Sequence, residues 1–124
     1  MPAKVRIPSR NKFGAQKTTI AGVIYDSKAE AEYALELDAM KRQGIITGYE
    51  RQVPFPLFAW RENGRVGVAL HVVDFVVTLP DGHRECREVK GVATALWKLK
   101  HKVFLANYDI PYIVIKRGKR NGGK

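Results

Sequence analysis

The sequence contains few cysteines, few acidic residues relative to basic ones, and no long apolar run. Cys86 is the single cysteine in 124 residues, so neither an internal disulfide nor a cysteine-based zinc site can form. With that cysteine in a predicted strand, a reducing compartment is the simplest expectation. No apolar run approaches the ~20 residues of a membrane span, and the basic N-terminus lacks the apolar segment of a signal peptide. We therefore expect a cytoplasmic protein with no membrane partner.

The excess of positive charge predicts a polyanionic partner. Lys and Arg number 22 against 12 Asp and Glu, which gives a net charge of +10 and a pI near 10.0. Such an excess most often indicates nucleic-acid binding, because neutralising phosphates releases condensed counterions. The apolar and charged fractions are otherwise typical of a globular protein. At this length we expect one folded domain.

The distribution of charge and periodicity suggests three regions. Residues 1–16 combine basic residues with Pro and Gly and read as a flexible basic arm, in which Arg10 and Lys12 are candidate nucleic-acid contacts. Residues 17–116 form the predicted domain. Residues 117–124, RGKRNGGK, read as a flexible basic tail.

A β-hairpin that carries an acid in each strand is the most informative segment. Two apolar runs flank Pro-Asp-Gly at 80–82, which predicts a type I turn followed by a left-handed glycine, and hence a three-residue loop. Leu79 then faces His83. Because facing numbers in an antiparallel ladder have a constant sum, Asp74 faces Glu88 and shares a face with it. A slip of one residue would separate the two acids.

Lys90 lies on the same predicted face as Glu88, two residues further along the strand. Two facing carboxylates repel each other unless positive charge lies near them. A bound divalent cation such as Mg²⁺, which takes one or two carboxylates and keeps its waters, would supply that charge. Alternatively, Lys90 alone neutralises the pair, as in many surface ladders. By alternation His71 lies on the other face from Asp74, so we expect a structural or phosphate-binding role for it.

Two amphipathic helices are predicted. The first spans Ser27 to Gln43, begins with a capping box formed by Ser27 and Glu30, and ends before Gly44. Capping alone would explain Glu30. The second helix spans about Thr94 to Tyr108.

In the second helix, Leu96, Leu99 and Val103 mark the predicted core side, together with three aromatic residues: Trp97, Phe104 and Tyr108. Lys98 and Lys102 lie one turn apart and are either a solvated face or a ridge that contacts phosphates. His101 is expected to pack or to lie on the surface.

The predicted order is helix, three antiparallel strands, helix, strand, which gives an α/β (α+β) domain with helices packed on a sheet. The strands span 48–60, 65–78, the second arm of the hairpin, and 111–116. Asp74 lies in the middle strand and Glu88-Val89-Lys90 in the third.

These residues resemble the motif of the PD-(D/E)XK nuclease superfamily, whose core is αβββαβ and whose acid-bearing strand is followed by Glu-x-Lys. Ser27-Lys28-Ala29-Glu30 is similar to the Ser-x-x-Glu helix motif of TnsA-like transposon endonucleases and phage junction-resolving enzymes. The resemblance covers about Tyr25 to Lys116, and it extends to small phage and prophage nuclease-like proteins. Val73 stands where many members have a proline before the aspartate.

The resemblance implies a Mg²⁺-dependent endonuclease that cuts DNA, with Mn²⁺ able to substitute. Asp74, Glu88 and the Val89 carbonyl would hold the metal, Glu30 would complete its site directly or through water, and Lys90 would act on the water or the developing charge. Gln52 and Lys98 would make secondary contacts to metal water or phosphate.

The implied biological setting is a bacterial or phage-infected host cell. The implied substrate is branched DNA, as for a Holliday-junction resolvase, and symmetric cutting of a four-way junction would require a homodimer. The alternative is a basic DNA-binding module that keeps this fold without catalysis.

Overall fold

The helices and strands follow the predicted order αβββαβ, preceded by a small hairpin. In this computed structural model the structure describes residues 18–20, 23–25 and 27–117. The elements are β1 (Thr18–Ile20), β2 (Val23–Tyr25), α1 (Lys28–Arg42), β3 (Gly48–Arg61), β4 (Gly64–Thr78), β5 (Arg84–Lys90), α2 (Ala95–Asn107) and β6 (Tyr112–Lys116). The predicted arm, with Arg10 and Lys12, and residues 118–124 of the predicted tail lie outside the described residues.

The main sheet has four strands in the order β3-β4-β5-β6, and β1 pairs with β2 in a separate two-stranded sheet. Neighbours from β3 to β5 are antiparallel, whereas β6 runs parallel to β5. Parallel neighbours need a crossover connection, and α2 provides it. The domain is therefore a mixed α/β domain, as predicted. No helix in the described part of the chain is long and apolar enough to cross a membrane.

The hairpin between β4 and β5 has the predicted register. The Leu79 N–H donates to the His83 carbonyl at 2.8 Å, and Gly82 has a φ of 94°, the left-handed conformation that the turn requires. The ladder ends at the pair of Phe75 with Arg87, and its register continued by one residue places Asp74 opposite Glu88.

The core has two parts, one on each face of the sheet. The cluster under α1 contains Tyr33, Leu37 and Phe75, and the cluster under α2 contains Val73 and Phe104. Residues two apart in a regular strand share a face, yet Val73 and Phe75 lie in different clusters. The alternation of β4 is therefore inverted at the residue between them, Asp74.

The same inversion occurs in the neighbouring strand. Arg51 pairs with Phe75 and Val53 with Val73, but the ladder lacks the intervening pair of Gln52 with Asp74. Gln52 has a φ of 51°, in the left-handed region that is unusual for a residue other than glycine. We refer to the row formed by Gln52 and Asp74 as the pleat break. Because of this break, β3 and β4 contribute side chains to both core clusters.

Helix α2 faces the sheet through an aromatic stripe and not through its leucines. Leu96 and Leu99 are 62% and 59% exposed, whereas Phe104 is fully buried. The prediction that these two leucines lie on the core side was wrong. The inward residues are Trp97, His101, Phe104 and Tyr108, which recur at helical spacing and contact rings on the sheet or one another. The larger rings bury more area, so their stripe faces the sheet.

The outer strand β3 has an unusual free edge. Pro54 and Pro56 lack backbone donors there. The Tyr108 hydroxyl donates to the Pro56 carbonyl at 2.7 Å. Asn107 accepts from the Phe58 N–H at 2.6 Å and donates to the Phe58 carbonyl at 3.3 Å. The C-terminal end of α2 is thereby fastened to this edge.

Candidate functional site

Asp74 and Glu88 are held together by reciprocal hydrogen bonds. Glu88 Oε1 accepts from the Asp74 N–H at 3.2 Å, and Asp74 Oδ2 accepts from the Val89 N–H at 2.9 Å. Each carboxylate is thus bonded to the backbone of the strand opposite its own. Asp74 belongs to the pleat break, and the pair lies one residue beyond the end of the regular ladder between β4 and β5. The structure therefore brings together the two acids that the hairpin register predicted to face each other.

Glu88 lies in an environment that disfavours its ionised form. The residue is only 3% exposed. Burial, followed by the negative charge of Asp74, raises the pKa of Glu88 to about 8, although Lys90 acts in the opposite direction. A bound cation would add positive charge beside this pair and would favour the ionised form of Glu88.

Lys90 is positioned by two contacts, one polar and one aromatic. Its Nζ lies 3.7 Å from Glu88 Oε2 and 4.8 Å from the centroid of the Trp97 ring. A cation over an indole face is attracted by the ring's electron density. The ammonium is therefore held beside the Glu88 carboxylate, as the shared face predicted. Trp97, which was predicted to lie on the core side of its helix, supports it.

Glu30 contacts β3 through Gln52. The Gln52 amide Nε2 donates to Glu30 Oε2 at 2.7 Å, and an Arg51 guanidinium nitrogen lies 4.0 Å from the same oxygen. The serine half of the capping box is formed, since Ser27 Oγ accepts from the Glu30 N–H at 3.0 Å. The buried Glu30 carboxylate also engages β3, so capping is not its only role. Gln52 links this carboxylate to the row that contains Asp74.

Tyr112 contacts Glu88 but was not among the predicted site residues. Its hydroxyl donates to Glu88 Oε1 at 3.3 Å, and His71 Nε2 lies 2.8 Å from the same hydroxyl. Burial above all, followed by the charge of His101, lowers the pKa of His71 to about 4. His71 is therefore neutral near pH 7, and its hydrogen bond holds the Tyr112 hydroxyl in place.

His71 thus lies on the same side of the sheet as Tyr112, the residue that contacts Glu88. The alternation rule placed it on the face away from Asp74, but that rule does not hold through the pleat break. Tyr112 could not be located from the sequence, because the register of a parallel strand after a helical crossover is not fixed by a turn.

The remaining predicted residues take peripheral positions. His101 packs against Trp97 and Tyr112, with ring centroids 4.7 and 4.3 Å apart, which agrees with the expected packing role. Lys98 and Lys102 are exposed on α2. Their contact with phosphate, like the use of the Val89 carbonyl as a metal ligand, stays a prediction.

The donor set fits Mg²⁺ through two carboxylates. Across residues 18–20, 23–25 and 27–117, no group of three or more His, Cys, Asp or Glu side chains is placed to hold a metal ion. Glu30 therefore does not form one three-carboxylate cluster with Asp74 and Glu88. Mg²⁺ commonly uses one or two carboxylates and retains several waters. Asp74 and Glu88 supply that number of carboxylates.

Comparison with known proteins returns one finding. A family model with the description "Protein of unknown function (DUF1064)" matches residues 10–119. No curated protein and no solved structure matches the chain.

Proposed function

Since the chain belongs to the DUF1064 family and carries this site, we propose that it is a Mg²⁺-dependent endonuclease that hydrolyses phosphodiester bonds in DNA. The observation that carries the proposal is the hydrogen-bonded pairing of Asp74 with the buried Glu88, with the Lys90 ammonium 3.7 Å from Glu88. In a chain of net charge +10, carboxylates that face bound DNA would repel its phosphates, whereas carboxylates that hold a metal ion would attract them.

Asp74 and Glu88 would hold the metal, with Glu30 acting through Gln52 and water. When bound, Mg²⁺ would polarise the phosphate and make a water molecule more acidic. The reciprocal backbone hydrogen bonds fix both carboxylates before any ligand arrives, so little conformational entropy is lost on binding. Mn²⁺, which also prefers oxygen ligands, is expected to substitute.

Lys90 would act on the phosphate or on the attacking water. Its ammonium is a donor with three N–H groups, and the Trp97 ring restricts where it can point. A positive charge held in place at the scissile phosphate stabilises the negative charge that develops during hydrolysis. Its place 3.7 Å from Glu88 supports this role.

DNA is the proposed substrate because of the net charge of +10 and the exposed Lys98 and Lys102 on α2, the helix that also carries Trp97. Branched DNA, a homodimer and a setting in phage recombination or replication are proposed on the superfamily resemblance alone. Comparing junction with duplex cutting tests the branched substrate separately from cleavage itself.

The test is cleavage of a labelled four-way junction and of a linear duplex with matching sequence, with Mg²⁺ or with EDTA. Wild type is compared with Lys90→Ala and with a control of equal charge, Lys41→Ala, which removes an exposed lysine at the end of α1. We expect metal-dependent cutting that Lys90→Ala lowers by roughly 10²- to 10³-fold and that Lys41→Ala leaves unchanged.

The ratio of junction to duplex cutting identifies the substrate class. DNA binding is measured on the same variants, so that a loss of cutting is not mistaken for a loss of affinity. Tight binding without cutting of either substrate under Mg²⁺ or Mn²⁺ would instead identify a non-catalytic DNA-binding module.

A further inference from the structure

Strands β3 and β4 continue beyond the region where β5 pairs with β4 and end in a two-stranded ribbon. We define the ribbon as residues 58–67. It begins at a bulge between Leu57 and Phe58, and its ladder runs from the Phe58–Gly67 pair to the Arg61–Gly64 pair at the tip. By contrast, β5 pairs with β4 only between Phe75 and Thr78. Four residue pairs at about 3.4 Å per residue make a projection roughly 14 Å long.

Both faces of the ribbon are exposed. Every residue from 59 to 67 is exposed to solvent, including Trp60 at 62% and Val66 at 38%. A two-stranded ribbon without a packing surface is marginally stable in water. A Trp with most of its surface in solvent is also a common feature of binding surfaces.

One face of the ribbon carries two aromatic rings in an edge-to-face arrangement and a guanidinium group over one of them. Trp60 pairs directly with Arg65, so both side chains lie on this face. The Arg65 guanidinium carbon is 4.1 Å from the centroid of the Phe58 ring, and the Phe58 and Trp60 rings are 6.4 Å apart. This contact with Phe58 restrains the guanidinium, whose N–H groups are suited to bind phosphate or guanine.

We propose that the ribbon binds duplex DNA by entering its major groove, next to the site of cleavage. The inference rests on the proposed function in that it takes DNA as the partner of the same site. The major groove of B-form DNA is about 12 Å wide and admits a two-stranded β-ribbon. Arg61 and Arg65 bind phosphates or base edges, and Trp60 packs against the groove wall.

The charge of the ribbon favours DNA over a second copy of the chain. It carries Arg61 and Arg65 against the single acid Glu62. The ribbons of two copies would carry the same excess of positive charge and would repel each other, whereas DNA attracts the ribbon. Duplex RNA is disfavoured, because the major groove of an A-form helix is too deep and narrow for protein elements to read.

The ribbon lies at a useful distance from the carboxylates because it continues the strands that carry them. The tip at Gly64 is ten residues from Asp74 along β4, which corresponds to at most about 33 Å. One turn of B-form DNA spans about 34 Å. A duplex bound at the carboxylates can therefore meet the ribbon within about one helical turn.

The test measures binding to a fluorescein-labelled duplex of about three helical turns (~30 base pairs) by fluorescence anisotropy in EDTA. Arg61→Ala/Arg65→Ala is compared with Lys41→Ala/Arg42→Ala, which also removes two exposed positive charges but at the end of α1. We expect the ribbon variant to weaken binding at least tenfold more than the control, and to reduce the salt slope by about two. Thermal unfolding verifies that both variants are folded.

A second measurement uses Trp60 as a reporter. The chain contains two tryptophans, so Trp97→Phe leaves Trp60 as the only one, and duplex DNA is expected to quench its fluorescence. Trp60→Ala is expected to weaken binding by at least about fivefold. Equal affinities for the ribbon and control variants, without quenching, would overturn the proposal. A ribbon variant that instead loses a homodimer, seen by light scattering, would do so as well.

These results are independent of cleavage. If wild type cuts DNA but the ribbon variants bind as tightly as the control, only the inference about the ribbon fails. If the ribbon variants lose affinity but wild type does not cut, the ribbon still binds DNA and the nuclease proposal fails.

Discussion

Replacing Gln52 with glycine should leave the protein more stable than replacing it with alanine, the reverse of the usual order in a β-strand. The backbone of Gln52 has a φ of 51°. In this left-handed region a residue with a Cβ is disfavoured by roughly 1–2 kcal/mol relative to the common conformations. Glycine avoids that strain, but its more flexible unfolded chain costs about 0.4–1 kcal/mol.

The two terms give a net advantage of glycine over alanine on the order of 1 kcal/mol. Both variants also lose the 2.7 Å hydrogen bond from the Gln52 amide to the buried Glu30 carboxylate. A hydrogen bond to a charged group contributes about 1.5–3 kcal/mol. We therefore expect both variants to be less stable than wild type, with Gln52→Ala the less stable of the two.

Urea unfolding at fixed pH, with free energies extrapolated to water, measures this difference. Ala59→Gly provides the matched control, because Ala59 is exposed in the same strand and pairs normally with Val66. There glycine should reduce stability by up to about 1 kcal/mol. If Gln52→Gly were equal to or less stable than Gln52→Ala, the left-handed conformation would not constrain this position, and the account of the pleat break would be refuted.

Two further predictions concern the carboxylate pair and the second helix. Burial and the charge of Asp74 raise the pKa of Glu88 from 4.5 to about 8, so its contribution to stability is fully present below pH 4.5 and is lost as the pH rises through 8. The free energy of unfolding, measured with urea in EDTA, should therefore fall between pH 5 and 9 in wild type but not in Glu88→Gln. Parallel pH curves for the two proteins would contradict this prediction. Phe104→Ala should reduce stability by about 3–5 kcal/mol because Phe104 is fully buried, whereas Leu96→Ala should change it by less than about 0.5 kcal/mol. Equal thermal shifts for these two variants would show that the leucine face is packed after all.

The features predicted correctly are those that local rules determine. A Pro-Asp-Gly turn specifies a loop length, and the loop length specifies which residues face each other, so Asp74 and Glu88 could be paired from the sequence alone. The bounds of α1 follow from Ser27 as N-cap and from Gly44 just after the helix, which has a φ of 80°. Neither inference required knowledge of tertiary packing.

The features that were missed depend on contacts between distant elements. In α2, a leucine stripe and an aromatic stripe overlap, and only the rings of the sheet decide that Phe104 is buried and Leu99 is not. The pleat break at Gln52 has no sequence signal, because Gln is not a residue that favours positive φ. Tyr112 meets Glu88 only after the crossover through α2 sets the parallel register.

The fastened edge of β3 has a consequence for self-association. An exposed edge strand is a template for another chain because its outward N–H and C=O groups can pair with a foreign strand. On β3, Pro54 and Pro56 offer no N–H, Tyr108 occupies the Pro56 carbonyl, and Asn107 occupies both backbone groups of Phe58. A foreign strand would have to displace these side chains and would still find two donors missing. Intermolecular sheet growth, the first step toward amyloid-like aggregation, is therefore blocked along this stretch.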